Sequence, residues 1–164
     1  MKNLFNWLFN PPVYGPNSIL FIRLMVGSIF LWEGLLKFVY TNQGVGRFTK
    51  LGMPYPDKLA TFIAIIEIVG GIALMFGLFS RATALMFAGE MVVAILLTKI
   101  DLYFGTSPLP LPVVPPKVGI WALLHEIRTD YALLICSIFI VLEGPGKISI
   151  DRSIAPRYPE KFTV

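Results

Sequence analysis

The sequence is poor in charge, in cysteine and in histidine, and each shortage excludes a class of protein. Only 15% of its 164 residues are charged and 55% are hydrophobic, with a mean hydropathy of +0.72. Soluble domains carry about 25% charged residues, so water is not the main solvent of this chain. One cysteine, Cys136, allows neither an internal disulfide nor a CxxC redox pair. With one histidine, His125, the chain also lacks the ligands for a conventional His/Cys zinc site or a bis-histidine haem, and no metal is predicted.

Four apolar stretches of helix length follow one another along the chain. A transmembrane helix needs about 20 apolar residues, so this length accommodates one compact unit of four spans and no large soluble domain. The expected spans are residues 18–40, 59–79, 82–104 and 126–142. The sequence therefore predicts an all-α membrane protein, a bundle of four transmembrane helices that occupies residues 18–143.

The segments outside the predicted spans are short. Residues 1–17 contain an apolar run broken by two adjacent prolines, which favours an attached interfacial helix over a cleaved signal peptide. The third connection, residues 105–117, contains five prolines and predicts an extended strap over one face of the bundle. A Gly-Pro-Gly sequence at 144–146 ends the last span, and residues 144–164 form a polar C-terminal tail.

An even number of spans places both termini on one side of the membrane. The positive-inside rule assigns the more basic side to the cytoplasm, and counting cations favours cytoplasmic termini by about one charge. The net charge of +4 is explained by loops that orient the chain, so nucleic-acid binding is not predicted. The cations counted with the termini are Lys2, Arg81, Lys147, Arg152, Arg157 and Lys161, and those on the other side are Arg47, Lys50, Lys58, Lys117 and Arg128.

Several ionisable residues lie inside the apolar stretches. Each costs about 2.5–3.5 kcal/mol near a helix centre and therefore needs a partner or water. Arg23 and Lys37 share one face of the first helix, and Glu67 and Arg81 share one face of the second. Both faces carry glycines, which is typical of stripes that face the interior of a bundle. The ionisable residues are Arg23, Glu33, Lys37, Glu67 and Glu90, with His125, Glu126 and Asp130 at the start of the fourth span.

Depth in the membrane divides these residues into two expected clusters. The outer cluster consists of Lys37, Glu67, Glu33, His125 and Glu126. The inner cluster consists of Arg23, Arg81 and Glu90. In the outer cluster Lys37 is expected to pair with Glu67 or with Glu33. Two interpretations stay open: the pairs only fix helix packing, or the outer cluster lines a polar cleft that binds a quinone head group or relays protons.

A set of short motifs follows in a defined order from residue 18 to residue 152. They are Arg23-Leu24 with Gly27, Gly34 and Lys37-Phe38, then Gly52-Met53-Pro54, then Glu67-Ile68-Val69-Gly70-Gly71 with Gly77-Leu78 and Arg81, and finally Glu126 with Gly144-Pro145-Gly146-Lys147-Ile148-Ser149-Ile150-Asp151. In this order and spacing they resemble the DoxX family. The resemblance implies a four-helix DoxX/DoxD-like protein of a prokaryotic cytoplasmic membrane. Family members resemble small subunits of membrane oxidoreductases, including DoxD of a thiosulfate:quinone oxidoreductase, or proteins of thiol and oxidative-stress homeostasis.

The resemblance also implies which charged residues matter. The charged pattern of the family falls on Arg23, Lys37, Glu67, Arg81, Glu126 and Asp151. Two features depart from the family pattern: Glu33 stands where a neutral residue or histidine is more usual, and the strap is longer than a minimal loop. These departures bear on the identity of the substrate and not on the fold.

Three functions are compatible with these features. The first is a membrane subunit that passes electrons from a thiol or sulfur donor to quinone, with no covalently bound cofactor and with other oxidoreductase subunits as partners. The second is a non-catalytic accessory or scaffold subunit that packs against neighbours, which could include a second copy of the chain. The third is a small-molecule transporter, which would require oligomerisation because four helices enclose little volume.

Overall fold

The regular structure in the described part of the chain is entirely helical. The computed structural model describes residues 2–9, 13 and 15–154. The helices, in order, are α1 (Lys2–Phe9), α2 (Ile19–Val39), α3 (Val45–Lys50), α4 (Pro56–Phe76), α5 (Ser80–Thr98), α6 (Ile100–Phe104), α7 (Ile120–Glu143) and α8 (Ile150–Ile154). Three segments, α2, α4 and α5 continued by α6, are long and apolar enough to cross a membrane. The chain is therefore an all-helical membrane protein whose helices contact lipid.

The first three predicted spans correspond to these three segments, with boundaries that differ by a few residues. The expected fourth span lies within α7, which begins earlier than predicted, at Ile120. Although α7 is 24 residues long, the charged residues in its first half exclude it from the helices that length and apolarity identify. The predicted count of four spans is therefore not confirmed by these criteria. Residues 1, 10–12 and 14 of the expected interfacial segment, and residues 155–164 of the expected tail, lie outside the described residues.

The turn between α4 and α5 is tight because its backbone groups are satisfied locally. Gly77 ends α4 at a φ of +72°, a region that favours a residue without a Cβ, and its N–H donates to the Leu74 carbonyl at 3.0 Å. The side chain of Asp151, in α8, accepts hydrogen bonds from the backbone N–H groups of Phe79 at 2.7 Å and Ser80 at 2.9 Å. These donors have no partner inside α5, so α8 caps the beginning of that helix.

The long helices pack as two pairs, α2 along α4 and α5 along α7. Glycines allow the first pair to approach closely: a Cβ on Gly27 would lie 2.6 Å from the Gly71 carbonyl oxygen, and a Cβ on Gly71 would lie 2.5 Å from that of Gly27. The two pairs meet in the core, where Phe30 of α2 stacks on Phe87 of α5 with ring centroids 3.6 Å apart.

The bundle has two chemically different ends. The hairpin end carries the α4–α5 turn, α1 and α8, and the strap end carries α3, α6 and the proline-rich residues 105–117. Residues 144–154, which the sequence analysis assigned to a polar tail, pack into the hairpin end: Pro145 and Asp151 are buried, and the Asp151 N–H donates to the Gly77 carbonyl at 2.9 Å. This segment thus belongs structurally to the helical body.

Candidate functional site

A buried ion pair joins the strap-end third of α2 to the middle of α4. The Nζ of Lys37 lies 2.7 Å from Oε1 and 2.6 Å from Oε2 of Glu67. The Glu67 side chain is 3% exposed and that of Lys37 is 13% exposed. Gly34 permits this pairing, because a Cβ there would lie 2.7 Å from the Ala64 carbonyl oxygen and 3.0 Å from the Glu67 Cβ. An ammonium has three donors, so Lys37 retains hydrogen-bonding capacity for a ligand.

Glu90 of α5 faces the same ion pair. Its carboxyl group lies beside that of Glu67 and close enough to the Lys37 ammonium to interact with its charge. Its Oε2 is buried and receives no hydrogen bond from any donor in the described part of the chain. Glu90 was expected in the inner cluster with Arg23 and Arg81, but in the structure it lies with Lys37 and Glu67. Two carboxyl groups and one cation therefore meet in the membrane interior.

These groups line a cavity of about 540 Å³ that extends toward the strap end, and we call it the site cavity. Its inner wall is apolar, with Phe30, Met91 and Leu133 from the core. Its volume lies within the roughly 300–1,000 Å³ typical of small-molecule sites. The ionisable residues that line it are Glu33, Lys37, Arg47, Glu67, Glu90, Lys99, Glu126, Arg128 and Asp130.

A second group of charges lies nearer the strap end of the site cavity. The Nζ of Lys99 lies 3.7 Å from Oε2 of Glu126 and 4.0 Å from Oδ2 of Asp130. Glu126 and Asp130 are spaced four residues apart and therefore share one face of α7. The Asp130 Oδ2 accepts no hydrogen bond from the described residues. Carboxylates thus line the cavity from Glu90 in its interior to Glu126 near the strap.

Two residues of the expected outer cluster differ in their placement. Glu33 lines the site cavity, but its side chain is exposed and makes no ion pair with any described residue. His125 is exposed and is not part of the cavity wall. Its backbone carbonyl accepts a hydrogen bond from the Arg128 guanidinium. The geometry therefore gives His125 no role in the site cavity.

Arg23 lies at the hairpin end and does not line the site cavity. All of its described hydrogen-bond partners are backbone carbonyls. Its Nε donates to Leu74 at 3.0 Å and its Nη2 to Met75 at 2.9 Å. Its Nη1 donates to Pro145 at 2.5 Å and Ile148 at 2.7 Å. Arg23 thus binds the C-terminal end of α4 to the segment that follows α7.

Arg81 lies at the same end of the bundle. Its guanidinium lies 4.4 Å from the centroid of the Trp7 ring, and its Nη2 is 3.3 Å from the Leu142 carbonyl oxygen. Its Nε and Nη1 are buried without a hydrogen-bond partner among the described residues. Arg23 and Arg81 therefore hold the hairpin end together, and Glu90 does not join them.

The sequence analysis did not assign Arg47 and Lys99 to the site. Arg47 was counted only as an orienting charge, and no role was predicted for Lys99. The sequence signal for Lys99 is its place inside the third predicted span, whose other charged residues are Glu90 and Asp101. Arg47 carries no comparable signal, because it lies outside the apolar stretches.

Comparisons with known proteins agree on one family. Residues 18–100 match the family model described as DoxX. The chain is 38% identical to an uncharacterised membrane protein, Rv3486, of Mycobacterium tuberculosis, over 87% of this chain and 85% of that protein. It is 30% identical to a Bacillus subtilis protein named "Putative oxidoreductase CatD", over 80% of this chain and 83% of that one. It is also 30% identical to an uncharacterised protein of Haemophilus influenzae, over 84% of this chain and 91% of that one. No solved structure matches the chain significantly.

Proposed function

This chain belongs to the DoxX family, and from that premise and the site geometry we propose that it is a small membrane subunit of an oxidoreductase system that binds a quinone head group in the site cavity. The observation that carries the proposal is the cluster of Lys37, Glu67 and Glu90 at the inner end of that cavity. Intramembrane ionisable groups that face a cavity commonly serve substrate binding or proton transfer.

The cavity has the features that a quinone head group requires. A flat ring with two carbonyl oxygens needs an apolar wall and hydrogen-bond donors at its edges. Phe30 and Met91 supply the apolar wall. Lys37 supplies the donor at the inner end, and the side-chain amide of Gln43 and the guanidinium of Arg47 supply donors nearer the strap end.

The carboxylates of the cluster are suited to proton transfer. A quinone supplies the acceptor for two electrons and two protons. Lys37 neutralises one of the two adjacent carboxyl groups, and two like charges in a membrane interior are costly, so Glu90 holds a proton in this proposal. Glu90 would donate that proton to a head-group oxygen, and after reprotonation it would deliver the second of the two protons. Asp130 and Glu126 provide carboxylates along the cavity through which Glu90 is reprotonated from the strap end.

The electrons come from a partner in this proposal, because the sequence has no cofactor-binding motif of its own. A thiol or reduced sulfur compound, oxidised by an associated subunit, would supply two electrons for each quinone reduced. The name of the Bacillus subtilis relative CatD supports an oxidoreductase role. The exposed apolar side chains of the helices offer contact area for such a subunit or for a second copy of the chain.

The proposal includes a fourth membrane crossing by α7 in a prokaryotic cytoplasmic membrane, with both termini in the cytoplasm. Three charged residues in the first half of α7 exclude it on composition, Glu126, Arg128 and Asp130, and all three line the site cavity. Its second half, residues 131–142, contains no charged residue. Helix α1 would then lie at the cytoplasmic interface, where Trp7 contacts Arg81.

The experiment is a quinone-binding measurement on the full chain, purified in mild detergent from its native membrane. Organic extraction and mass spectrometry would identify bound quinone, and co-purifying proteins would be identified from the same sample. Lys37→Met should lower quinone occupancy about tenfold, the effect expected when one charge-assisted hydrogen bond is lost. Glu90→Gln, which keeps a neutral donor but cannot release a proton, should keep quinone bound and slow its reduction. Glu143→Gln is the matched control, because Glu143 is exposed at the hairpin end and lies outside the cavity.

Wild-type quinone occupancy in Lys37→Met would contradict the quinone site. Recovery of the chain in a large complex whose activity survives both substitutions would favour the accessory or scaffold function instead. In that case the buried ion pair would serve helix packing.

A further inference from the structure

A second cavity of about 290 Å³ lies beneath the proline-rich strap, and we call it the strap cavity. The residues of the strap that wall it are Ser107, Leu109, Pro110 and Pro112. The opposite wall comes from α3, from the residues before α3 and from the end of α5 and α6. The strap cavity adjoins the site cavity, with which it shares Gln43, Arg47, Thr98, Lys99 and Glu126.

The lining of the strap cavity carries an excess of positive charge. Three cations, Arg47, Lys50 and Lys99, face one carboxylate, that of Glu126. Lys99 is already close to Glu126, at 3.7 Å, and to Asp130, at 4.0 Å. Arg47 and Lys50 form no ion pair with any carboxylate in the described residues. Two cations, half-buried Arg47 and exposed Lys50, therefore line a half-open cavity without an ion-pair partner from that part of the chain.

We propose that the strap cavity binds an oxyanion group, which is either the phosphate of an anionic lipid head group or a small free oxyanion. The planar guanidinium of Arg47 matches the geometry of two oxyanion oxygens, and the ammonium of Lys50 adds a second charge. The side-chain amides of Asn42 and Gln43 provide neutral donors in the same lining. The proposal does not require a quinone: Arg47 and Gln43 line both cavities, but Lys50 and Asn42 line the strap cavity alone.

The position of the strap cavity allows both sources of oxyanion. It lies at one end of the membrane helices, beyond α2 and α5, which is the level of the lipid head groups. The strap covers the cavity with proline-rich backbone. Proline limits backbone motion, so the strap provides a wall of defined shape for a small anion as well.

The first arm of the test uses lipid probes. Native mass spectrometry of the full chain in neutral detergent would measure binding of phosphatidylglycerol and of zwitterionic phosphatidylcholine. The wild type should prefer phosphatidylglycerol, and Arg47→Gln combined with Lys50→Gln should weaken that binding about tenfold or more. Lys58→Gln is the matched control: it removes one exposed cation from the same end, outside both cavities, and should change affinity by less than about twofold.

The second arm uses inorganic phosphate. If the source is a free oxyanion, millimolar phosphate should raise the thermal midpoint of the wild type, leave that of the double variant unchanged and compete with phosphatidylglycerol. Binding of phosphatidylglycerol without competition by phosphate would assign the site to a lipid head group.

The proposal is overturned if neither probe binds the wild type, if the double variant binds both probes like the wild type, or if Lys58→Gln weakens binding equally. The last result would indicate only general attraction to the basic end. Lys50→Gln alone guards against a folding defect, since Lys50 is exposed, and it should weaken binding by an intermediate factor.

Discussion

Arg23 and Lys37 are both cations inside α2, yet their surroundings give them different roles. Arg23 is 1% exposed, and its guanidinium is surrounded by carbonyl oxygens, including those of Leu74 and Met75 at the end of α4. Carbonyls in the last turn of a helix lack donors from a following turn and carry partial negative charge. Arg23 supplies charged donors to Met75 and to Leu74, which also accepts from the Gly77 N–H, and so completes the end of α4. Lys37 instead has one carboxylate partner and lines a cavity. The first residue stabilises the fold, and the second is available to a ligand.

The Lys37–Glu67 pair should show strong energetic coupling. Removing one partner of a buried pair leaves an uncompensated charge and typically costs about 3–5 kcal/mol, whereas removing both costs less than the sum. Each single variant, Lys37→Met or Glu67→Gln, should therefore lower the free energy of unfolding by more than half of the decrease caused by the double variant. The two single decreases then add up to more than the decrease in the double variant. Reversible denaturation in mixed detergent micelles, analysed as a double-mutant cycle, measures this coupling.

Lys58→Met is the control for the cycle, because Lys58 is an exposed lysine outside the cavities and should change stability by less than about 0.5 kcal/mol. Additive effects of Lys37→Met and Glu67→Gln would show that the two side chains do not form the pair in the membrane.

The sequence predicted individual residues of the site better than their grouping. It offered Glu67 or Glu33 as the partner of Lys37, and the structure contains the Glu67 pair. It grouped Glu90 with Arg23, because helical periodicity shows which residues share a face but not how that face is rotated against a neighbouring helix. That rotation is set by packing, here by the stacking of Phe87 on Phe30, which brings α5 and Glu90 to the cavity.

At the scale of elements, the contact between α2 and α4 depends on residues that have no side chain. Gly27 and Gly71 allow each helix backbone to lie against the other, and Gly34 does the same about two turns further along α2. Close approach brings Lys37 and Glu67 within hydrogen-bonding distance. The geometry of the candidate site therefore depends on the glycines of the α2–α4 contact as well as on its own ionisable side chains.

Gly27→Ala should destabilise the protein, because the added Cβ would lie 2.6 Å from the Gly71 carbonyl oxygen and 2.7 Å from the Met75 Cγ. Overpacking of this kind costs about 1–3 kcal/mol, so the thermal midpoint in detergent should fall by several degrees. Gly89→Ala is the matched control, since a Cβ on Gly89 would meet no atom within 4 Å.

Alanine is the better helix former, so Gly89→Ala should leave the midpoint unchanged or raise it slightly. Equal midpoints for Gly27→Ala and Gly89→Ala would show that α2 and α4 are not in close contact.

The long helices were predictable as elements because their apolar runs are long, but the short ones were not. Proline at Pro56 and glycine at Gly77 mark the ends of α4, close to the predicted span. Helix α3 lies in a stretch whose glycines and prolines predicted turns. The packing of Asp151 onto the start of α5 joins residues more than 70 positions apart, which no local pattern reveals.

At the scale of the whole molecule, family membership inferred from the motifs is confirmed by the family model and by the relatives. The molecule separates its ionisable residues by end. Arg23, Arg81 and Asp151 hold the hairpin end together, whereas the two cavities with their mixed charges lie toward the strap end. Ionisable side chains that bridge backbone segments and those that line the cavities thus lie toward opposite ends of one bundle.

Cysteine accessibility tests the crossing by α7, because α7 is the long helix between Val113 of the strap and Ser153 of α8. In a Cys136→Ser background, we expect Val113→Cys, at a position 89% exposed, to react with a membrane-impermeant maleimide in intact cells. Ser153→Cys, also at an exposed position, should react only after the membrane is permeabilised, which controls for reactivity. The reverse pattern would keep the crossing but place the termini outside. Identical labelling of both positions in intact cells would show that α7 does not cross, since a spanning helix must separate its two flanks.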